Sequence, residues 1–188
     1  MKALIITDYT YDFVAEDGCL TAGEPAQGID GAIAQAVGET LEEGGLVFVV
    51  NDLHLEGDHT HPESRLFPPH NIKGSPGRRV YGRTGALLEA NGELVDRQIF
   101  WLDKFRYSCF EGTPLDQLLR QYGVDSLEIT GVCTDICVLH TAISAYNLGY
   151  PVTVHDNRVA SFNALGHTWA LAHFKETLGF NVVKEEEA

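Results

Sequence analysis

Positive charge is scarce in this chain. Its 188 residues carry 13 Lys and Arg against 27 Asp and Glu, a formal net charge of −14. Nucleic acids and anionic bilayers select basic surfaces, so neither is an expected partner. Long apolar runs are missing too. No stretch approaches the roughly 20 residues that a membrane-spanning helix requires. The opening run Met1-Lys2-Ala3-Leu4-Ile5-Ile6 is too short for a secretory leader and soon meets Asp8. Cysteine is sparse: four residues, with no secreted disulfide pattern, in a chain large enough not to need one. The expected setting is a reducing cytoplasm, where an unpaired cysteine can serve as a nucleophile. Internal repeats and low-complexity linkers are also absent. The acidity itself serves solubility, and part of it lies in solvated stretches such as Glu185-Glu186-Glu187.

What is present is enough apolar residue, 44%, to build a sizeable core. The length predicts one domain over residues 1–188. Strand-like and helix-like runs alternate. Residues 3–7, 46–50, 98–102, 126–130, 152–155 and 181–183 read as strands. Residues 29–41 carry Ile29, Ile33, Val37 and Leu41 at helical spacing, and Gly44-Gly45 ends that helix. Thr113-Pro114 reads as a cap and first-turn proline for a helix to Tyr122. Two more helices are predicted over 138–148 and 165–178. Near-continuous apolar strands alternating with helices predict an α/β fold: a Rossmann-like three-layer sandwich with a mostly parallel six-stranded sheet covered on both faces. Residues 52–85 break the rhythm. They are rich in Gly, Pro and His without a period, and such excursions inside compact domains are usually functional.

In open parallel sheets, ligands bind beyond the carboxyl ends of the strands. Asp8 follows the first strand, Asp52 and His54 the second, and Lys104 the third. Cys137 lies past the fourth, in Gly131-Val132-Cys133-Thr134-Asp135-Ile136-Cys137-Val138. A thiol at a strand-to-helix turn faces the positive end of a helix, which favours the thiolate. A nearby carboxylate can take the thiol proton and return it to a leaving group. A lysine beside both lowers the thiol pKa and holds the carboxylate. Backbone N–H groups of the turn can hold an oxyanion. Asp8, Lys104 and Cys137 therefore form a plausible amide-cleaving triad. His140, one helical turn after Cys137, is the rival base. Side chains on a helix lean toward its N-terminus, so His140 reads as structural.

Asp52-Leu53-His54 places two ligand-type side chains on one face of an extended segment. Glu56, Asp58, His59, His61, Glu63 and His70 follow within the excursion. Imidazole and carboxylate ligands suit Zn²⁺, Fe²⁺ or Mn²⁺. The prolines of Phe67-Pro68-Pro69-His70 stiffen the chain, and the aromatic reads as a pocket wall beside a ligand.

These residues resemble the isochorismatase-like cysteine hydrolases, and within them the nicotinamidase branch. The resemblance runs from Asp8-Tyr9-Thr10-Tyr11-Asp12-Phe13 to the last helix. It includes Lys104-Phe105-Arg106-Tyr107-Ser108, the turn around Cys137, and Phe67-Pro68-Pro69-His70 followed by Gly74-Ser75-Pro76-Gly77. It implies hydrolysis of nicotinamide to nicotinate and ammonia through a Cys137 thioester, a place in NAD salvage, and acceptance of pyrazinamide. It implies Asp8, Lys104 and Cys137 as catalytic residues. An oxyanion hole would form from the N–H groups of Cys133 and Cys137 after a cis Val132–Cys133 bond. Phe13, Phe67 and Tyr107 would sandwich the substrate ring, with Trp101 as a further candidate that is equally a core residue. One divalent ion, zinc first and iron or manganese otherwise, would be held by Asp52, His54, Glu63 and His70. The His61-Pro62-Glu63-Ser64 run looks like the carboxylate type of fourth ligand, while Gly57-Asp58-His59 looks like the histidine type, so His59 stays open as the alternative. Relatives range from monomers to tetramers, which leaves a homo-oligomer open. The rival readings are an isochorismatase or other amide hydrolase of the same fold, and a catalytically silent metal-binding interaction module.

Overall fold

The computed structural model describes residues 1–184 of the chain. The acidic run Glu185-Glu186-Glu187 lies outside the described residues. Among the described residues, seven strands form one sheet: β1 (Lys2–Thr7), β2 (Leu46–Asp52), β3 (Ile99–Lys104), β4 (Ser126–Val132), β5 (Val152–His155), β6 (Val159–Ala160) and β7 (Asn181–Val183). Their order is β3-β2-β1-β4-β5-β7, with β6 paired to β4, and these strands pair in parallel throughout. The six-stranded expectation is one short. After β5 the chain makes a 3-10 turn over Asp156–Arg158 and returns to β4 for two residues only. A two-residue strand is too short to show a period in sequence.

Side-chain alternation explains the three layers. In β1, Ala3 and Ile5 face one cluster, while Leu4 and Ile6 face the other. The first cluster is closed by α5 (Leu115–Gln121), α6 (Leu139–Leu148) and α7 (Ala164–Glu176), through Leu115, Leu119, Leu139, Ala142, Ala170 and Phe174. The second is closed mainly by α3 (Asp30–Glu42) and α4 (Gly82–Ala90), through Ile33, Ala36, Val37 and Leu88. Two short helices, α1 (Tyr11–Val14) and α2 (Glu24–Gly28), add Phe13, Val14 and Ala26 to it. Buried in β4, Glu128 is paired with Arg158 and with Lys2, each at 2.7 Å.

Several boundaries differ from the sequence expectation. The excursion ends at Tyr81, because α4 starts at Gly82. Gly82 and Gly85 weaken the helical signal of α4. The fold nevertheless requires Gly85, since a Cβ there would stand 2.2 Å from the Val80 carbonyl oxygen. Helix α5 starts at Leu115, whose N–H donates to Thr113 Oγ1 at 3.2 Å. Residues Thr134–Val138 form one wide π-helical turn before α6. Cys137 therefore sits late in a π turn, not at the first residues of an α-helix.

The order of strands places the chemistry. β1 is central, with β2 on one side and β4 on the other, and β3 lies beyond β2. The carboxyl ends of these four strands deliver Asp8, Asp52, Lys104 and the Cys133–Cys137 turn to one edge.

Candidate active site

Asp8 follows β1 with a φ of 54°, a left-handed conformation that Asp tolerates better than most residues. Its N–H donates to the Val50 carbonyl at 3.2 Å, and its Oδ1 accepts the Asp52 N–H at 2.7 Å. The last residue of β3, Lys104, is fully buried. Its ammonium lies 2.7 Å from Asp8 Oδ2, donates to Asp52 Oδ1, donates to the Arg106 carbonyl at 3.1 Å, and stands 3.7 Å from Cys137 Sγ. Carboxylate oxygens of Asp8 and Asp52 and the sulfur of Cys137 lie within 4.8 Å of one another. The lysine ammonium is bonded within that group, so this trio is an ion cluster and not a cation site.

The electrostatics follow from burial and charge count. One ammonium faces two buried carboxylates. Burial and the neighbouring Asp52 push Asp8 up to about 7, against the pull of Lys104. Burial acts to lower Lys104, but Asp52 and Asp8 outweigh it and hold the ammonium well above its usual range. Burial, then Asp8 and Asp52, push the Cys137 thiol well above the usual thiol range, although Lys104 opposes them. This corrects the expectation of a thiolate favoured by a helix end. Burial thus favours the protonated thiol, whose proton a nearby carboxylate could take. An Asp8 carboxylate oxygen lies within 4.8 Å of Cys137 Sγ. His140 is not that acceptor, since its Nδ1–H donates to the Ile136 carbonyl at 2.7 Å and its ring packs on Tyr107.

A second cluster adjoins the first. Asp52, His54, Glu63 and His70 bring one ligand atom each within 4.8 Å of one another. Pro68 pins His70: its carbonyl accepts the Nδ1–H at 2.8 Å, and the buried Nε2 makes no hydrogen bond, with Glu63 Oε2 3.6 Å away. Asp52 Oδ2 is likewise buried without a hydrogen bond. Two nitrogens and two carboxylates with such orphaned atoms fit a divalent transition metal. Burial and the neighbouring His70 push His54 down, toward the neutral form that ligates. His59 lies outside the cluster; it is exposed and lines an adjoining open groove. Of the two candidates for a fourth position, the structure brings Glu63 to the other three.

The loop is held by Asp12, Asn71, Gly77 and Arg78, through contacts that no local pattern reveals. Asp12 Oδ2 accepts the Asn71 N–H at 2.7 Å, and Thr10 donates to Asn71 Oδ1 at 2.9 Å. Asn71, at φ 45°, accepts the His54 N–H at 3.1 Å, so its carbonyl ties the residue after His70 to His54. Arg78 donates from Nε to the Asp52 carbonyl at 2.8 Å and pairs with Asp103 at 2.6 Å. Gly77 must be glycine, since a Cβ there would lie 2.2 Å from Asp12 Oδ1. The invisible signal has a simple cause: each of these contacts joins segments distant in sequence.

A narrow cavity of about 30 Å³ lies over Cys137, lined by Phe13, Phe67 and Tyr107 together with Leu20, Ile136 and Phe162. Asp52, Glu63, Val132 and Cys133 complete its wall, so it touches both clusters. Phe13 packs on His70 with ring centres 5.1 Å apart. Leu20, Ile136 and Phe162 were not anticipated. Trp101 is not in the cavity and not in the core; it stands half-exposed on the edge strand β3. The Val132–Cys133 bond is cis, as the family resemblance implied.

Comparison with known proteins agrees with this architecture. The sequence pattern of the isochorismatase domain matches residues 2–187. The isochorismatase family protein PncA of Bacillus subtilis (strain 168) is 49% identical over 183 residues, covering 97% of this chain and 99% of that protein. The solved pyrazinamidase/nicotinamidase of Streptococcus mutans UA159 superposes with a TM-score of 0.94 at 51% identity, covering 97% of this chain and 100% of the other. The pyrazinamidase of Pyrococcus horikoshii, solved in complex with zinc, superposes with a TM-score of 0.83 at 26% identity, covering 98% and 99%. A family pattern that spans almost the whole chain, with a relative at nearly half identity over its full length, shows that this protein belongs to the isochorismatase domain family.

Proposed function

We propose that this chain is a nicotinamidase that converts nicotinamide and water to nicotinate and ammonia, accepts pyrazinamide as well, and serves NAD salvage. The observation that carries the reading is the meeting of two clusters at one cavity. A thiol with its carboxylate and ammonium lies on one side, and an N₂O₂ ligand set on the other. The strong likeness to a solved pyrazinamidase/nicotinamidase supports the same substrate class. Residues 1–188 act as one hydrolase domain.

Asp8 accepts the Cys137 proton as the sulfur attacks the carboxamide carbon. The buried Lys104 ammonium stabilises the negative charge that this transfer places on Asp8 and sulfur. The N–H groups of Cys133 and Cys137 hold the oxyanion. Asp8 returns the proton to the departing ammonia, which leaves a thioester on Cys137. Asp8 then accepts a proton from the attacking water, and the thioester opens to nicotinate and the free thiol. Phe13, Phe67 and Tyr107 hold the aromatic ring by stacking.

Asp52, His54, Glu63 and His70 hold one divalent ion in this reading, zinc first. The zinc complex of the P. horikoshii pyrazinamidase supports that choice of metal. When bound, the ion supplies a Lewis acid for the pyridine nitrogen, which orients the carboxamide toward the sulfur. The test is ammonia release from nicotinamide by the zinc-loaded protein and by Cys137→Ala. Turnover by the first and not the second supports the reading; absence of turnover by either contradicts it.

A further inference from the structure

His61 belongs to neither cluster, yet it touches both segments that form them. It is buried; each ring nitrogen has one hydrogen-bond partner, and Nδ1 also lies 3.9 Å from Glu63 Oε1. Nε2 lies 2.8 Å from the Phe105 carbonyl, which can only accept, so Nε2 carries the proton. Nδ1 is then a lone pair, and it accepts the Glu63 N–H at 3.2 Å. The tautomer is fixed by these two partners. The ring also packs edge-on against His54, with centres 4.4 Å apart. Phe105 directly follows Lys104. One imidazole therefore spans from the segment after the buried lysine to the backbone of Glu63, and braces a second member of the N₂O₂ set through its ring.

We propose that His61 is a positioning residue: its two hydrogen bonds hold the Glu63 carboxylate in the metal-ligating set, in register with the Lys104–Tyr107 segment. This deepens the metal reading above and rests on it. The physical reason is how Glu63 is tied: its carbonyl accepts the Leu66 and Phe67 N–H groups at 2.9 and 3.0 Å, while its own N–H is bonded by His61. Glu63 lies in a 3-10 turn over Pro62–Arg65, inside a long excursion, with an exposed histidine four residues earlier in the chain. A carboxylate on such a turn needs a second contact to stay in place, and outer contacts of this kind set metal affinity. With Glu63 braced, the set closes at four and His59 remains outside it.

The test uses the full chain, stripped with a chelator and titrated with Zn²⁺ against a chromophoric chelator. Three variants separate packing from hydrogen bonding. His61→Phe keeps a ring against His54 and removes both hydrogen bonds. His61→Asn keeps an acceptor, Oδ1, for the Glu63 N–H. His61→Ala removes everything. Affinity for Zn²⁺ should fall about 10–100-fold in His61→Phe and His61→Ala, and His61→Asn should recover most of the loss. KM for nicotinamide should rise in His61→Phe by more than kcat falls, because ring orientation and not the thiol chemistry is disturbed. Wild-type Zn²⁺ affinity in His61→Phe overturns the proposal, as does a His61→Asn variant no better than His61→Phe. These two comparisons stand even if His61→Ala does not fold. A wild-type protein that binds no Zn²⁺ overturns the metal reading itself, and this inference with it.

Discussion

Asp52 gives one carboxylate oxygen to the ammonium of Lys104 and keeps the other buried without a hydrogen bond. One side chain thus belongs to both clusters. It balances the charge around the thiol through its first oxygen and offers its second to the N₂O₂ set. The position of Asp52 is fixed by its own backbone, whose N–H bonds Asp8 and whose carbonyl is held by Arg78.

The first consequence concerns stability. Lys104 neutralises two buried carboxylates, so Lys104→Met leaves uncompensated negative charge in the interior. Removing one partner of a buried ion pair typically costs about 3–5 kcal/mol. Urea denaturation at neutral pH should show a loss in that range. A change near zero would mean that the ammonium is not the groups' main counter-charge.

The second concerns the nucleophile. Cys137→Ala should lower kcat for nicotinamide by about 10⁴-fold or more, the scale seen when a covalent nucleophile is removed. Circular dichroism and the thermal midpoint should remain close to wild type, because Ala fits where the small buried thiol stood. Substantial turnover by this variant would place the nucleophile elsewhere.

The metal set gives a third. His54→Ala and Glu63→Ala, purified and analysed by elemental spectroscopy, should carry far less zinc than wild type. His59→Ala should retain it, since that imidazole stands outside the cluster. The reverse order, with zinc lost from His59→Ala and kept in Glu63→Ala, would favour the histidine type of fourth ligand.

A fourth lies far from the site. Burial acts to raise Glu128, but Lys2 and Arg158 outweigh it and hold its carboxyl below the usual value. A depressed folded-state value stabilises the protein above the unfolded value, and that stability is lost as pH falls through the folded value. Wild-type stability should therefore decline as pH drops below about 4.5, the reference carboxyl value. Glu128→Gln should be less stable at pH 7, with Arg158 left short of a partner, and should lose part of that acid decline. An unaltered acid limb in the variant would rule out this pair as its source.

Much of this architecture was legible in the amino-acid order, for identifiable reasons. Leu46–Asp52 and Ser126–Val132 are buried strands, and buried strands write their position as apolar runs. Asp8, Lys104 and Cys137 were legible because a parallel sheet gathers whatever follows its strands. The brief strand β6, the helix α4 with its two glycines, and the π turn under Cys137 were not, because none carries a period. The electrostatics of Cys137 also read wrongly from sequence. The helix-end argument sees only local backbone, whereas burial beside Asp8 and Asp52 decides the proton. His61, Asp12, Asn71 and Arg78 support the site through contacts between distant segments, which no local pattern records.

In the proposed function, the thiol cluster and the N₂O₂ set act together on one aromatic amide. Ammonia release from nicotinamide, measured on the same protein before chelation, after chelation and after zinc is restored, tests it most directly. Turnover should be present, then lost, then recovered. Undiminished turnover by the verified metal-free protein, or no ammonia from the zinc-loaded protein, would contradict it.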